Sequence, residues 1–451
     1  MSTTRKLAEF SVSLNLRDVP REALAVARAA MIDSLGCAIA GVNSDVARII
    51  TDRTRAWGGT PSSGVMGGGF KTSAAQAARA NATIGQAMDY DPPLPLLPVI
   101  LALGESEACT GAQLLQAYVV GCELQSKLQS GVTQKHSALG WHSNTVFGTY
   151  SAAAAAGRLL GLNVHQMQMA FGIAGSQAGG SLQNVGTMAK PLHAGLAAAN
   201  GIIAADLARA GLTAAPDMLE GRFGVLRLFA TPGEYDEAKI ADSFGKPWDL
   251  ISLGVRYKPY PCCRWAHRSL DALLAILKAH DVQPPQIEAI ECETGTQVSQ
   301  VMNYQSAQTG VEGKFCFPWC IAVAAFDRRA GLGQFTDSRV QDQAVWALAR
   351  RVTLTHPTGK SEQDTGTMLP CVVRVRLTNG RVFEQSTGAA LGDPDNPVLL
   401  DEVIEKYREC TLGVLGKEKS ERALALTLDL ENLDSISELA DILTFGPAPA
   451  G

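Results

Sequence analysis

Six ionisable side chains cluster in three short motifs of an otherwise largely apolar chain: His142, Lys190, His193, Lys258, Arg264 and His267. Gly140-Trp141-His142-Ser143 runs into an Ala-rich stretch. A His at the start of such a helix lies near its positive end. This lowers the imidazole pKa and favours the neutral form a general base needs. In Lys190-Pro191-Leu192-His193-Ala194-Gly195 a Lys and a His stand three apart at the mouth of another helix of small residues. There an ammonium can bind a carboxylate or act as acid or base. Tyr257 to His267 holds two prolines, three aromatic residues, Lys258, Arg264 and His267 within eleven positions. A fourth group, Asn81, Gln86, Asp89, Tyr90 and Asp91, closes a helix ahead of Pro92 and Pro93. Carboxylates are unfavourable at a helix C-terminus, which argues for another role. The bland alternatives are a capping or core His, a Lys whose stem covers apolar surface, and a structural hinge. Cys262 and Cys263 read as small hydrophobes rather than as a nucleophile.

A local surplus of positive charge in a chain of net charge −5 suits a small polycarboxylate. No G-x-G-x-x-G follows a strand, and there is no Walker-type loop, HExxH or hydrolase elbow. Cys316 and Cys320 lack a second ligand pair, so no metal and no cofactor is expected. The remaining chemistry is proton transfer next to a carboxylate, with elimination, decarboxylation or epimerisation as outcomes. A basic excess, the signature of nucleic-acid binding, is absent, and no membrane span is expected. Ten scattered cysteines read as reduced residues of a cytoplasmic protein.

Two kinds of segment must position these groups. Residues 1 to about 267 read as successive helices, including one from Pro20 to Gly41, with Asp18 as its cap. Runs 145–161 and 194–211 are small or apolar nearly all round and should lie centrally. After residue 268 the pattern changes: 287–294 and 371–377 alternate like strands, and Asn379-Gly380 predicts a hairpin. Helical patterns at 268–280, 317–330 and 338–350 interleave with them, and the tail 398–443 is helical again. The expected fold is mainly α. A large all-helical domain (1–267 with 396–451) carries a smaller α+β lid domain (268–395). Only 18% of residues are charged, which points to a buried face and a homo-oligomer.

At these motifs the chain resembles the MmgE/PrpD family, which includes 2-methylcitrate dehydratase, cis-aconitate decarboxylase and iminodisuccinate epimerase. The matching stretches are Asp33-Ser34-Leu35-Gly36-Cys37, Gly140 to Ser143, Lys190 to Gly195, Leu219 to Gly224, and Lys258 to Cys263 with His267. The resemblance implies a homodimer that works without metal or organic cofactor. It implies a site built from Lys258, His267, His142 and Lys190 as catalytic groups. Asp89, Asp91, His193, Tyr260 and Arg264 would contact substrate. The chain departs from dehydratase-like members in three ways. The loop after Asp91 is about ten residues short and lacks its His, Gln86 replaces a His, and Trp319 replaces a Tyr. A site without that His suits proton removal and return better than dehydration. The leading expectation is therefore an epimerase of an α-substituted dicarboxylate such as iminodisuccinate, with Lys258 and His267 on one face and His142 or Lys190 on the other. The alternatives are a hydro-lyase, a cis-aconitate decarboxylase-like lyase, and a non-catalytic carboxylate-binding scaffold.

Overall fold

A computed structural model describes residues 1–90, 95–132, 135–230, 234–357 and 369–446. It is mainly helical, with one small sheet as its principal β element. The expected helix at the N-terminal end spans Arg21–Gly41. Pro20 occupies the cap position rather than the first turn, and Asp18 ends a separate short turn instead of capping. That helix is long and apolar enough to cross a membrane, but it lies mostly buried inside the molecule.

The two runs of small residues form helices Ser143–Leu159 and Ala189–Arg209, which pack against one another. Helix Ala189–Arg209 also packs on helix Ala74–Gly85. Gly195 permits that approach: a Cβ there would lie 2.2 Å from Thr83 Oγ1 and 2.5 Å from the Arg79 carbonyl oxygen. The close contact brings Lys190, one turn earlier, over the end of the helix that leads to Asp89.

Two short strands, β1 (Ser63–Gly64) and β2 (Lys71–Thr72), form a hairpin in the helical part. The main sheet has β3 (Ile287–Glu293), β4 (Val352–Thr355), β5 (Cys371–Leu377) and β6 (Val382–Thr387) in the order β4-β3-β5-β6. The expected hairpin joins β5 and β6 in antiparallel register, with Val375 opposite Phe383 and Gly380 at φ 84°. Cys371, Val373, Val375 and Leu377 face inward, as the two-residue period of a strand requires. Strand β4, parallel to β3, was not expected, because its four residues are too few to show a period. The helical pattern at 338–350 divides into Asp337–Val340 and Gln343–Ala349, the second capped by Asp342.

The apolar interior falls into two clusters. One gathers residues between 7 and 250 and is completed by residues 403 to 443 of the tail helices. The other gathers residues 262 to 377 around the main sheet. The segment 254–264 runs between them.

Candidate active site

Asp89 is the hub. It sits at φ 52°, a left-handed conformation that Asp tolerates better than most residues. That turn aims both its carboxylate and its carbonyl at lysines. Lys190 Nζ contacts Oδ1 and lies 3.3 Å from Gln86 Oε1. Lys258 Nζ lies 3.0 Å from the same Oδ1 and donates to the Asp89 carbonyl at 2.9 Å. A third amine, Lys314, donates to the Met88 carbonyl at 2.8 Å. Burial alone would raise the Asp89 carboxyl, but Lys190 and Lys258 overcome it and hold the group far below the usual carboxylate range. Burial pushes Lys314 down to about 8, against the pull of Asp89 and with help from Lys190 and Lys258. Among the described residues, the three amines when protonated face one carboxylate, that of Asp89.

The histidines meet beside this cluster. His142 Nδ1 and His193 Nδ1 are 2.9 Å apart, so one donates and the other accepts. His142 occupies the cap position of helix Ser143–Leu159, and its backbone is fixed by a hydrogen bond from its N–H to the Gly180 carbonyl at 3.0 Å. Its pKa is pushed down to about 3, chiefly by burial and then by Lys190 and His193. The direction matches the expectation from the helix terminus, but the leading cause is desolvation. His193 is lowered likewise, by burial and Lys190. Both imidazoles are therefore neutral at neutral pH.

Residues 5–238 match the MmgE/PrpD N-terminal domain and residues 260–432 match the MmgE/PrpD C-terminal domain. The chain belongs to the MmgE/PrpD family. Curated relatives include cis-aconitate decarboxylase of Aspergillus terreus, 25% identical over 98% of this chain and 95% of its own length. The cis-aconitate decarboxylase of Mus musculus is 28% identical over 93% of this chain and 88% of its own, and that of Homo sapiens is 26% identical over 93% and 89%.

Of the residues expected from the MmgE/PrpD resemblance, Asp89, His142, Lys190, His193 and Lys258 come together. Asp89 is better described as the group that organises two lysines than as a substrate contact, since a carboxylate repels a polycarboxylate. His267 does not join Lys258 in a hydrogen bond. It is fully buried at the start of helix His267–Ala279, with Nε2 3.2 Å from the Cys262 carbonyl and its ring edge-on to Tyr260 at 5.2 Å. Nδ1 has no hydrogen-bond partner among the described residues. Tyr260 donates to Asp271 at 2.7 Å, and Arg264 contacts Asp393 and donates to the Tyr257 carbonyl at 2.7 Å. Their polar ends are occupied in tying the 257–264 segment to the loop near residue 390. Asp91 lies outside the described residues.

Cys262 and Cys263 are buried, and burial raises the Cys263 thiol to about 12, so it is no thiolate. Trp319, one of the family departures, is fully buried and donates to the Gln334 carbonyl at 3.3 Å. Among the described residues no three His, Cys, Asp or Glu side chains gather where they could hold a metal ion.

The residue missed from sequence is Lys314. It lies in Glu312-Gly313-Lys314-Phe315-Cys316-Phe317-Pro318, where the apolar run following it draws attention to a core helix. A single Lys entering so apolar a run is the signal that was available. A cavity of about 270 Å³ opens near the cluster and, among the described residues, meets it at Lys258 and Tyr90. Its wall includes Glu402, Glu405 and Glu409, which unfits it for a polycarboxylate.

Proposed function

We propose that the chain is a lyase that decarboxylates a small unsaturated tricarboxylate of the cis-aconitate kind. The observation that carries this reading is the gathering of Lys190, Lys258 and Lys314 around Asp89, more ammonium groups than carboxylates among the described residues. The relatives' names agree with it and move the reading away from an epimerase. An epimerase must first remove a proton. Asp89 is committed to two lysines and His142 binds protons weakly, which leaves a lysine such as Lys314 as the base an epimerase would need. A decarboxylase needs an acid and a field that stabilises carbanion charge, and the lysines supply both.

Loss of CO2 breaks one C–C bond of the substrate's carboxymethyl arm and leaves its electron pair in an allylic carbanion. The double bond shifts, and the pair takes a proton at the carbon next to a remaining carboxylate. Lys258 gives that proton. Lys190 and Lys314 hold carboxylates. The neutral imidazoles of His142 and His193 add hydrogen bonds without changing the charge. Segment 268–395 serves as a lid that excludes water over the lysines, strengthening their field.

The assembly is a cytoplasmic homodimer, for which the exposed Leu196, Ile203 and Leu207 on one face of helix Ala189–Arg209 offer an apolar surface. Light scattering that gives a monomer mass would remove that part.

The test of the reaction is incubation with cis-aconitate in deuterium oxide. The expected result is one CO2 released per alkene product, with one deuterium on its new carbon–hydrogen bond. Deuterium entering an α-substituted dicarboxylate without CO2 release would instead establish an epimerase. Alkene formed from a hydroxy acid would establish a hydro-lyase.

A further inference from the structure

The tail helix Leu400–Leu415 packs on helix Arg21–Gly41, outside the cluster of acid–base groups. It nevertheless reaches that cluster through Lys406. The Lys406 ammonium donates to the Tyr90 carbonyl at 2.6 Å and to the Lys258 carbonyl at 2.9 Å. It pairs with Asp33 Oδ1 at 2.8 Å and lies 3.8 Å from the centre of the Tyr90 ring. Three oxygens surround the one ammonium, the two carbonyls as hydrogen-bond acceptors and the Asp33 carboxylate as its counter-charge. Two of those acceptors belong to Tyr90, next to Asp89, and to Lys258 itself. The Asp33 side chain is fully buried, and Lys406 is nearly so. Burial would lower Lys406, but Asp33 more than offsets that and raises it, so the ammonium stays charged.

We propose that Lys406, oriented by Asp33, is a positioning residue that fixes the two backbone segments carrying Asp89 and Lys258 relative to one another. Two other links join the same segments, Lys258 Nζ to the Asp89 carbonyl at 2.9 Å and the Tyr90 hydroxyl to the Pro259 carbonyl at 3.2 Å, and both run through side chains that can follow a shift. The cavity of about 270 Å³ is lined by Asp33, Tyr90, Lys258 and Lys406, so both segments border open space into which they could shift. The ammonium holds them back from it. The proposal deepens the decarboxylase reading and rests on it for the choice of Lys258 as acid, but the placement of Lys258 can be measured without turnover.

A second buried pair supplies the control. Lys127 lies 2.7 Å from Asp249 Oδ1 and 3.1 Å from the Pro247 carbonyl, away from the cluster. The experiment compares the full-length double variants Asp33→Asn/Lys406→Met and Lys127→Met/Asp249→Asn with the unaltered protein. Replacing both members of a buried pair by uncharged groups often leaves stability unchanged. Two readouts are taken: acetylation of Lys258 by trace acetic anhydride, quantified by peptide mass spectrometry, and kcat on cis-aconitate.

In the Asp33/Lys406 variant, acetylation of Lys258 should rise about tenfold, because a segment released from its clamp opens locally and exposes the amine to the reagent. Its kcat should fall about 10²-fold, as for a small misplacement of a reacting group. The Lys127/Asp249 variant should change neither. Unchanged Lys258 acetylation in the Asp33/Lys406 variant overturns the proposal, and so does an equal rise in the control. If the unaltered protein turns over no cis-aconitate while Lys258 acetylation still responds, the decarboxylase reading fails and the clamp stands. Should the Asp33/Lys406 variant not fold, Lys406→Arg replaces it. That variant keeps the charge for Asp33, but a planar guanidinium cannot place donors on both carbonyls in the same way. Lys258 acetylation that stays at the unaltered level in Lys406→Arg then counts against the clamp.

Discussion

Lysines are buried against aspartates in two regions of this molecule, and the two differ in their charge balance. On helix Gly111–Gly131, Lys127 meets Asp249 one to one, and the nearby Glu123 is raised to about 7 by burial, so about half of it is protonated at neutral pH. Around Asp89, by contrast, Lys190 and Lys258 share one carboxylate and Lys314 stands behind them. Burying charge is unfavourable unless it is compensated. The Lys127–Asp249 pair matches one charge with one and serves the fold, where Glu123 also accepts from the Leu250 N–H at 3.1 Å. Among the described residues the Asp89 cluster holds more ammonium groups than carboxylates, the imbalance that the proposed anionic substrate would offset. Unequal burial of charge thus separates a structural ion pair from a site.

The contrast is broken most directly by Lys258→Ala. Turnover should fall by ~10²–10⁴, the contribution of a positioned acid–base group, with the thermal midpoint nearly unchanged. Activity retained within about tenfold would remove Lys258 from the acid–base set. The reverse pattern belongs to Lys127→Met, which leaves Asp249 buried without its partner. Urea denaturation should show a loss of about 3–5 kcal/mol, while the folded fraction keeps its kcat. A kcat loss comparable with that of Lys258→Ala would show that the two regions do not differ as argued.

Two smaller effects sharpen the comparison through pH. Lys314 should bind substrate only as an ammonium, so kcat/KM of the unaltered enzyme should decline above about pH 8. Lys314→Met should raise KM and lack that alkaline limb. A limb that persists in the variant assigns it to another group. The last effect concerns stability. The folded pKa of His142, about 3, lies below its ordinary 6.5, so between these values the unfolded chain binds the extra proton. The stabilisation from neutral His142 is therefore full above about pH 6.5 and is lost as pH falls toward 3. His142→Gln should show a shallower decline of the thermal midpoint over that window. Identical slopes for the two proteins would mean that His142 is not held neutral by the fold.

Local chemistry made much of this legible in the sequence. The small-residue runs around Ala152 and Ala198 announced central helices, and Asn379-Gly380 announced the hairpin between β5 and β6. Lys190 and His193, three apart, necessarily share a helix face. The contact of Lys190 with Asp89 spans 101 residues, and no local rule encodes it. It depends on Gly195 letting two helices approach. Lys314 was hidden by its apolar neighbours. Lys406 was hidden differently: it sits in an amphipathic tail helix, Glu405-Lys406-Tyr407-Arg408-Glu409, where a Lys reads as solvated. His267 was expected to work beside Lys258; its ring is buried edge-on to Tyr260 with Nε2 at the Cys262 carbonyl, surroundings no sequence pattern announces.

Chain order gives the Lys406 contacts a consequence for synthesis. A nascent polypeptide emerges from its N-terminal end and begins folding before it is finished. Once residue 395 has been added, His142, Lys190, Lys258 and Lys314 all exist, yet the ammonium that bridges Tyr90 and Lys258 does not. The same late helices supply Val403, Tyr407 and Leu424 to the first core. The groups that attract a polyanion are thus made early, and the brace that sets their spacing is made near the end. A ribosome stalled before residue 406 would carry the charged residues of the site without the means to align them.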